Sequence, residues 1–111
     1  MKSAKRGFII EPNKYDYFFG RVAGESETRS KQIQRVLSEI GIEDTPEGRL
    51  KLEEIFEGGV NAPEVKRRKN PYGVTISRSV QVRGKKLLIG YFYEGDVLTS
   101  TPKVTTIIPK E

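Results

Sequence analysis

Cysteine, histidine and tryptophan are all absent from the 111 residues. Without cysteine there are no disulfides, no thiolate zinc sites and no cysteine nucleophile. Without histidine the chain lacks the commonest metal ligand and the usual general base near pH 7. Any catalysis must therefore run on Lys, Arg, Tyr, Ser, Thr or carboxylates. Long apolar runs are missing too: nothing approaches the ~20 residues that span a bilayer, so no membrane association is expected. The start, MKSAKRGFIIEPN, offers only Phe8-Ile9-Ile10 after its basic residues, too little for a signal-peptide core. No Walker loop, dinucleotide fingerprint, EF-hand or zinc spacing occurs, and there is no repeat. The expectation is no metal and no cofactor, with the cytoplasm as default location.

What is present describes one small basic domain over residues 1–111. Apolar residues make up 35% and charged residues 32%, which argues against disorder. A chain of this length buries about two-thirds of its unfolded surface and needs no staples. The net charge is +5, but it is unevenly placed. Residues 42–64 hold seven acids and two bases, whereas residues 65–93 hold eight bases and no acid. A polyanion such as RNA is the partner that such a basic half would attract. A merely solvated charged face is the plainer reading.

The pattern of residues predicts helices first and strands second. Residues 1–7 read as a frayed basic lead-in, and Phe8-Ile9-Ile10 as a small strand or a staple. Pro12 suits a first helical turn, and Tyr15, Phe18 and Phe19 fall on one helix face closed by Gly20; an extended reading of that run is nearly as good. Ile33, Val36, Leu37 and Ile40 mark a second helix, capped by Ser26 or Thr28 and ended by Gly41. Asp44-Thr45-Pro46-Glu47 opens a third, with Leu52, Ile55 and Phe56 on its buried face and Gly58-Gly59 as its stop. The helical part thus runs over 8–59. Residues 60–71 are expected to form a basic loop. From residue 72 to 109 the period becomes two: Val74, Ile76, Val80 and Val82 share one strand face, Arg83-Gly84-Lys85 makes a tight turn, and Leu87 to Tyr93 reads as a central strand. Gly90 suggests a bulge or a close approach. Val104 to Ile108 supplies the last strand. The fold class is α+β, with two or three helices packed on one face of an antiparallel sheet of three to four strands.

Several residues stand out chemically. Arg78 falls on the apolar face of its strand, so it must be paired, lie at a rim, be displaced by a bulge, or serve as a phosphate-binding guanidinium. Thr105-Thr106 places a hydroxyl on each face of the last strand, as a plain strand former or as a phosphate donor. Tyr91 and Tyr93 read as core or as base-stacking rings. Lys66, Arg67, Arg68 and Lys69, with Lys85 and Lys86 at the hairpin turn, are candidate contacts to a nucleic-acid backbone. Glu53-Glu54 reads as ordinary solvated surface.

Five fragments carry a resemblance: Tyr17-Phe18-Phe19-Gly20-Arg21-Val22, Arg29-Ser30-Lys31-Gln32, Leu37-Ser38-Glu39-Ile40-Gly41-Ile42, Tyr72-Gly73, and residues 102–109. In this order they resemble the C-terminal toxin-like domains of bacterial contact-dependent inhibition and filamentous-hemagglutinin-type proteins. Many of those domains belong to a ribonuclease-like group that includes barnase, EndoU, colicin-type tRNases and RelE-type mRNases. The resemblance implies helices followed by a curved antiparallel sheet, and metal-independent RNA cleavage. It implies roles for Lys31 as base or phosphate contact, Arg78 for transition-state charge, Tyr72 as acid, and Thr105 or Thr106 as phosphate donor. The absence of histidine departs from barnase-like sites. The implied partner is an acidic immunity or antitoxin protein, and the implied setting a free-standing relative or a piece of a larger secreted or delivered toxin. A non-catalytic nucleic-acid-binding module and a protein-interaction domain remain as alternatives.

Overall fold

The computed structural model describes residues 7–110; the basic lead-in expected before Gly7 lies outside them. Three helices, α1 (Lys14–Phe18), α2 (Glu27–Glu39) and α3 (Pro46–Gly59), precede four strands, β1 (Glu64–Asn70), β2 (Gly73–Val82), β3 (Lys85–Glu94) and β4 (Lys103–Lys110). A single 3-10 turn, Gly24–Ser26, leads into α2. The strands pair antiparallel in the order β1-β2-β3-β4, so each neighbour in sequence is a neighbour in space.

Local chemistry accounts for the helix ends. Thr45 caps α3 by accepting from the Gly48 N–H at 3.0 Å, with Pro46 at the first helical position. At the end of α2, Gly41 takes φ +84°, and the Ile42 N–H returns to the Leu37 carbonyl at 2.8 Å. That is the hydrogen bond expected of a left-handed helix stop, and it turns Ile42 into the core. Ser26 occupies the N-cap position of α2, but its side chain makes no capping bond. The β2–β3 hairpin turns on Arg83 and Gly84, both at positive φ (50° and 80°), as a two-residue connection matched to strand twist requires.

Alternation sorts the sheet into two faces. Val74, Ile76, Leu87, Ile89, Tyr91, Tyr93, Val104 and Ile107 turn to one side and are buried there with Phe18, Ile33, Leu37, Leu52 and Phe56 of the helices. Each fully buried Leu, Ile or Phe contributes roughly 1.5–3 kcal/mol relative to exposure, so this single apolar layer holds the domain together. The Tyr91 phenol donates to the Phe56 carbonyl at 2.7 Å inside the layer, and burial pushes its pKa up. Tyr91 and Tyr93 are thus core residues rather than exposed stacking rings.

Residues 60–71 depart from the expected loop. Seven of them form β1, an edge strand exposed at every position. Pairing with β2 supplies its backbone bonds, so the strand needs no apolar face of its own. The opposite edge is closed: the Ile9 N–H reaches the Pro102 carbonyl at 2.8 Å, and the Val104 N–H reaches the Ile9 carbonyl at 2.9 Å. Ile9 makes one parallel bridge with Lys103, while Phe8 packs edge-on to Phe56 with ring centroids 5.7 Å apart. The apolar trio before Pro12 therefore acts both as a strand fragment and as a staple. No described helix is long and apolar enough to cross a membrane.

Candidate functional site

The side chains that alternation directs away from the helices are mixed: Leu88, Phe92 and Ile108 are apolar, while those around Thr75 and Ser77 are polar. Thr75 and Ser77 of β2 stand opposite Arg68 and Lys66 of β1 on one side, and opposite Phe92 and Gly90 of β3 on the other. Gly90 in turn faces Thr106 of β4. Together Lys66, Arg68, Thr75, Ser77, Thr106 and Ile108 line a hollow of about 190 Å³ on this uncovered face.

A β-bulge shapes its floor. The register shifts so that Gly90 faces Thr106 while Tyr91 faces Val104, leaving Thr105 as the extra residue. Thr105 Oγ1 donates back to the Gly90 carbonyl at 3.1 Å. A Cβ on residue 90 would stand 2.7 Å from Thr105 Oγ1 and 3.2 Å from the Thr106 methyl. Only glycine lets both threonines crowd over this point. The expected placement, one hydroxyl on each face, is corrected accordingly: the bulge gathers Thr105 and Thr106 on the same side.

Cation placement on β1 follows the same alternation. Arg67 binds Glu64 through two 2.8 Å hydrogen bonds, and Lys69 pairs with Asp96 at 3.2 Å. Lys66 and Arg68, the two on the hollow's side, have no ion-pair partner among the described residues. Uncompensated positive charge is therefore concentrated where the hydroxyls are. No carboxylate lines the hollow.

One more group reaches this face from the helical layer. The Tyr17 hydroxyl lies 2.9 Å from Thr106 Oγ1, and either oxygen can be the donor. The fully buried Ser30 of α2 holds Tyr17 in place by donating to its carbonyl at 2.6 Å. The Lys14 ammonium sits 5.4 Å from the Tyr17 ring centroid. Sequence reasoning quoted Tyr17 but gave it no role. Its signal was its absence from the Tyr15, Phe18 and Phe19 stripe.

The structure brings three of the candidate site residues, Lys66, Arg68 and Thr106, together around the hollow, sets Thr105 beside Thr106 at the bulge but outside the lining, and leaves the others apart. Arg78 is on the helix-covered face, opposite Ile89, so it does not line the hollow. Its Nη1 donates to the Ala62 carbonyl at 3.0 Å, while its Nε is buried without a partner. It ties the α3–β1 connection to β2. Lys31 projects from α2 and pairs with Glu27 at 2.9 Å. Tyr72 is 77% exposed at the β1–β2 turn, outside the hollow's lining. Lys85 pairs with Glu39 at 3.0 Å, and Lys86 lies at the far end of β3, opposite Gln81. A larger hollow of about 640 Å³ opens there between α2 and the hairpin. Its lining holds Arg35 and Lys86 beside the Lys85–Glu39 pair but no side-chain hydroxyl, so the smaller hollow, with three hydroxyls next to its two cations, offers the fuller donor set for a phosphate. Among the described residues no group of three or more carboxylates stands together as a metal site.

No protein-family profile matches this sequence, and no curated protein matches it. Among solved structures, the chain is similar to one in a contact-dependent growth inhibition toxin–immunity protein complex from Klebsiella pneumoniae 342, with 24% identity and a TM-score of 0.77. The similarity covers 94% of each chain and is a likeness of fold.

Proposed function

We propose that this chain is a ribonuclease-like toxin domain that binds and cleaves RNA on the open face of its sheet without requiring a metal ion. The observation that carries this reading is the pairing of two uncompensated cations, Lys66 and Arg68, with the hydroxyls of Thr75, Ser77 and Thr106 around one hollow. Arg68 can offer a planar, two-pronged set of donors to phosphate oxygens, while Lys66 supplies a compact charge. Such groups stabilise the extra negative charge that phosphorus acquires when a ribose 2′-oxygen attacks it. The similarity to a chain from a toxin–immunity complex supports the toxin setting. An acidic immunity protein fits a chain of net charge +5 as its neutralising partner.

The test is incubation of the purified protein with total RNA in EDTA, beside the double variant Lys66→Ala/Arg68→Ala. The parent is expected to cut, and the double variant to cut about 10²–10³-fold more slowly while remaining folded. Salt-dependent binding without cleavage would replace this reading with a non-catalytic RNA-binding module. Absence of binding at low salt would leave a protein-interaction domain.

A further inference from the structure

The hollow is rich in cations and hydroxyls but poor in protons that a leaving group can take. A guanidinium group does not serve as an acid under ordinary conditions. The Thr and Ser hydroxyls are no stronger as acids than the ribose alcohol that must leave. Histidine is absent from the chain, and no carboxylate lines the hollow. Lys66 carries a removable proton, but giving it up would take away the charge that stabilises the phosphorus-centred negative charge at this site. The remaining donor is the phenol of Tyr17, one hydrogen bond from Thr106 at 2.9 Å.

Resting on the ribonuclease reading above, we infer that Tyr17 is the general acid of the open-face site, delivering its proton through Thr106 to the departing 5′-oxygen. A phenol is a far stronger acid than a ribose alcohol, so the transfer runs downhill once the P–O5′ bond breaks. The 2′-hydroxyl loses its proton to water as O2′ bonds phosphorus. The electrons of the P–O5′ bond leave on O5′, which takes the Thr106 hydroxyl proton while Thr106 takes the phenolic one. Water then reprotonates the phenolate, so the products are a 2′,3′-cyclic phosphate and a 5′-hydroxyl with no net proton consumed. Two contacts hold the donor ready. Ser30 fixes the Tyr17 backbone through its carbonyl, and the Lys14 ammonium places positive charge by the ring in which negative charge develops. This crossing also explains why α1, only five residues long, is anchored so firmly to α2 and β4.

The deciding experiment compares two substrates that span a site the parent protein cuts. One is ordinary RNA; the other carries a sulfur in place of the bridging 5′-oxygen at that site, and this thiolate leaves without protonation. Tyr17→Phe is expected to slow cleavage of ordinary RNA by about 10²–10⁴-fold. On the sulfur substrate it is expected to cut within about tenfold of the parent, as is proper for a lost acid. Lys66→Ala, which removes charge stabilisation, is expected to be slow on both. Thr106→Val breaks the relay while keeping Tyr17, and it should repeat the Tyr17→Phe pattern if the latter folds poorly. Parent-like cleavage of ordinary RNA by Tyr17→Phe overturns the assignment. So does an equal defect on both substrates, which would make Tyr17 a positioning residue for Thr106. A parent that leaves all RNA intact instead overturns the ribonuclease reading itself, and this assignment with it.

Discussion

The two faces belong to the same four-stranded sheet, yet they answer to different physics. On the covered face nearly every second residue, Arg78 excepted, is aliphatic or aromatic and packs under the helices. On the open face the hydroxyls of Thr75, Ser77 and Thr106 gather with Lys66 and Arg68 around the hollow, beside the apolar Leu88, Phe92 and Ile108. Burial energy is non-directional and needs only apolar area. Anion recognition needs particular donors at particular distances. A fold can therefore keep its stability on one side and leave the other free to carry a site, and substitutions on the two faces should fail in different ways.

The sharpest break in that division comes from the covered face. Phe56 is fully buried and touches the rings of both Phe8 and Phe18. Phe56→Ala is expected to cost about 3–5 kcal/mol through lost burial and the cavity left behind. That is a large share of the stability of a small domain. Denaturant melts check it; a loss below about 1 kcal/mol would mean that the helical layer is not what holds the sheet. The open face should show the inverse. Lys66→Ala and Arg68→Ala are expected to change stability by no more than about 0.5 kcal/mol each, as exposed substitutions usually do. Each should flatten the salt dependence of RNA binding by about one unit of log–log slope. An unchanged slope would remove these two residues from any phosphate contact.

Gly90 joins the two faces and sharpens the comparison. Gly90→Ala would press a methyl against Thr105 Oγ1 and the Thr106 methyl. The expected cost is about 1–3 kcal/mol from overpacking, together with a disturbed Tyr17–Thr106 contact. Stability is read from melting, and the contact from the altered response of the Thr106 methyl in NMR. A neutral substitution would mean that the bulge has room to relax.

How much of this was legible in the sequence follows from the same contrast. The covered face writes itself as period two in β2 to β4 and as apolar stripes in α2 and α3, because burial leaves a compositional trace. Thr45-Pro46 and Gly41 marked helix ends by local stereochemistry alone. Strand β1 left no such trace. Its sequence, EVKRRKN, is exposed throughout, and its strand character comes from pairing with β2. The bulge at Thr105 was hidden for a related reason: a one-residue register shift is set between strands, and alternation counted along one strand puts Thr105 and Thr106 on opposite faces. Arg78 was assigned to the correct face. Its partner, the Ala62 carbonyl, lies sixteen residues away across the fold and has no signature in composition. Tyr17 falls off the Tyr15, Phe18 and Phe19 stripe, a signal that sets it apart from the core but says nothing of its hydrogen-bond partner on β4.

The smallest expected effect separates the faces by pH. Asp44 is hydrogen-bonded to Arg49 at 2.7 Å and paired with Arg21, which also binds Asp16. Arg49, and then Arg21, hold the Asp44 carboxyl below its ordinary pKa against the opposing effect of partial burial. Because the folded pKa is the lower one, this contribution to stability is full above the unfolded-state value and is lost as pH falls through the folded one. The network sits among the helices, so acidification should weaken the fold by no more than about 1 kcal/mol on this account. Asp44→Asn should remove that part of the acid dependence. The hollow has no carboxylate in its lining, and a phosphodiester stays ionised in the same range. Glu64, held below its ordinary pKa by Arg67, would on protonation release a further cation from the same strand. RNA binding should thus hold or strengthen over the pH interval in which the helical layer loosens. Equilibrium binding and melting measured side by side at falling pH would check this. A binding loss that tracks the Asp44 titration while the protein is still folded would show that the two faces are coupled after all.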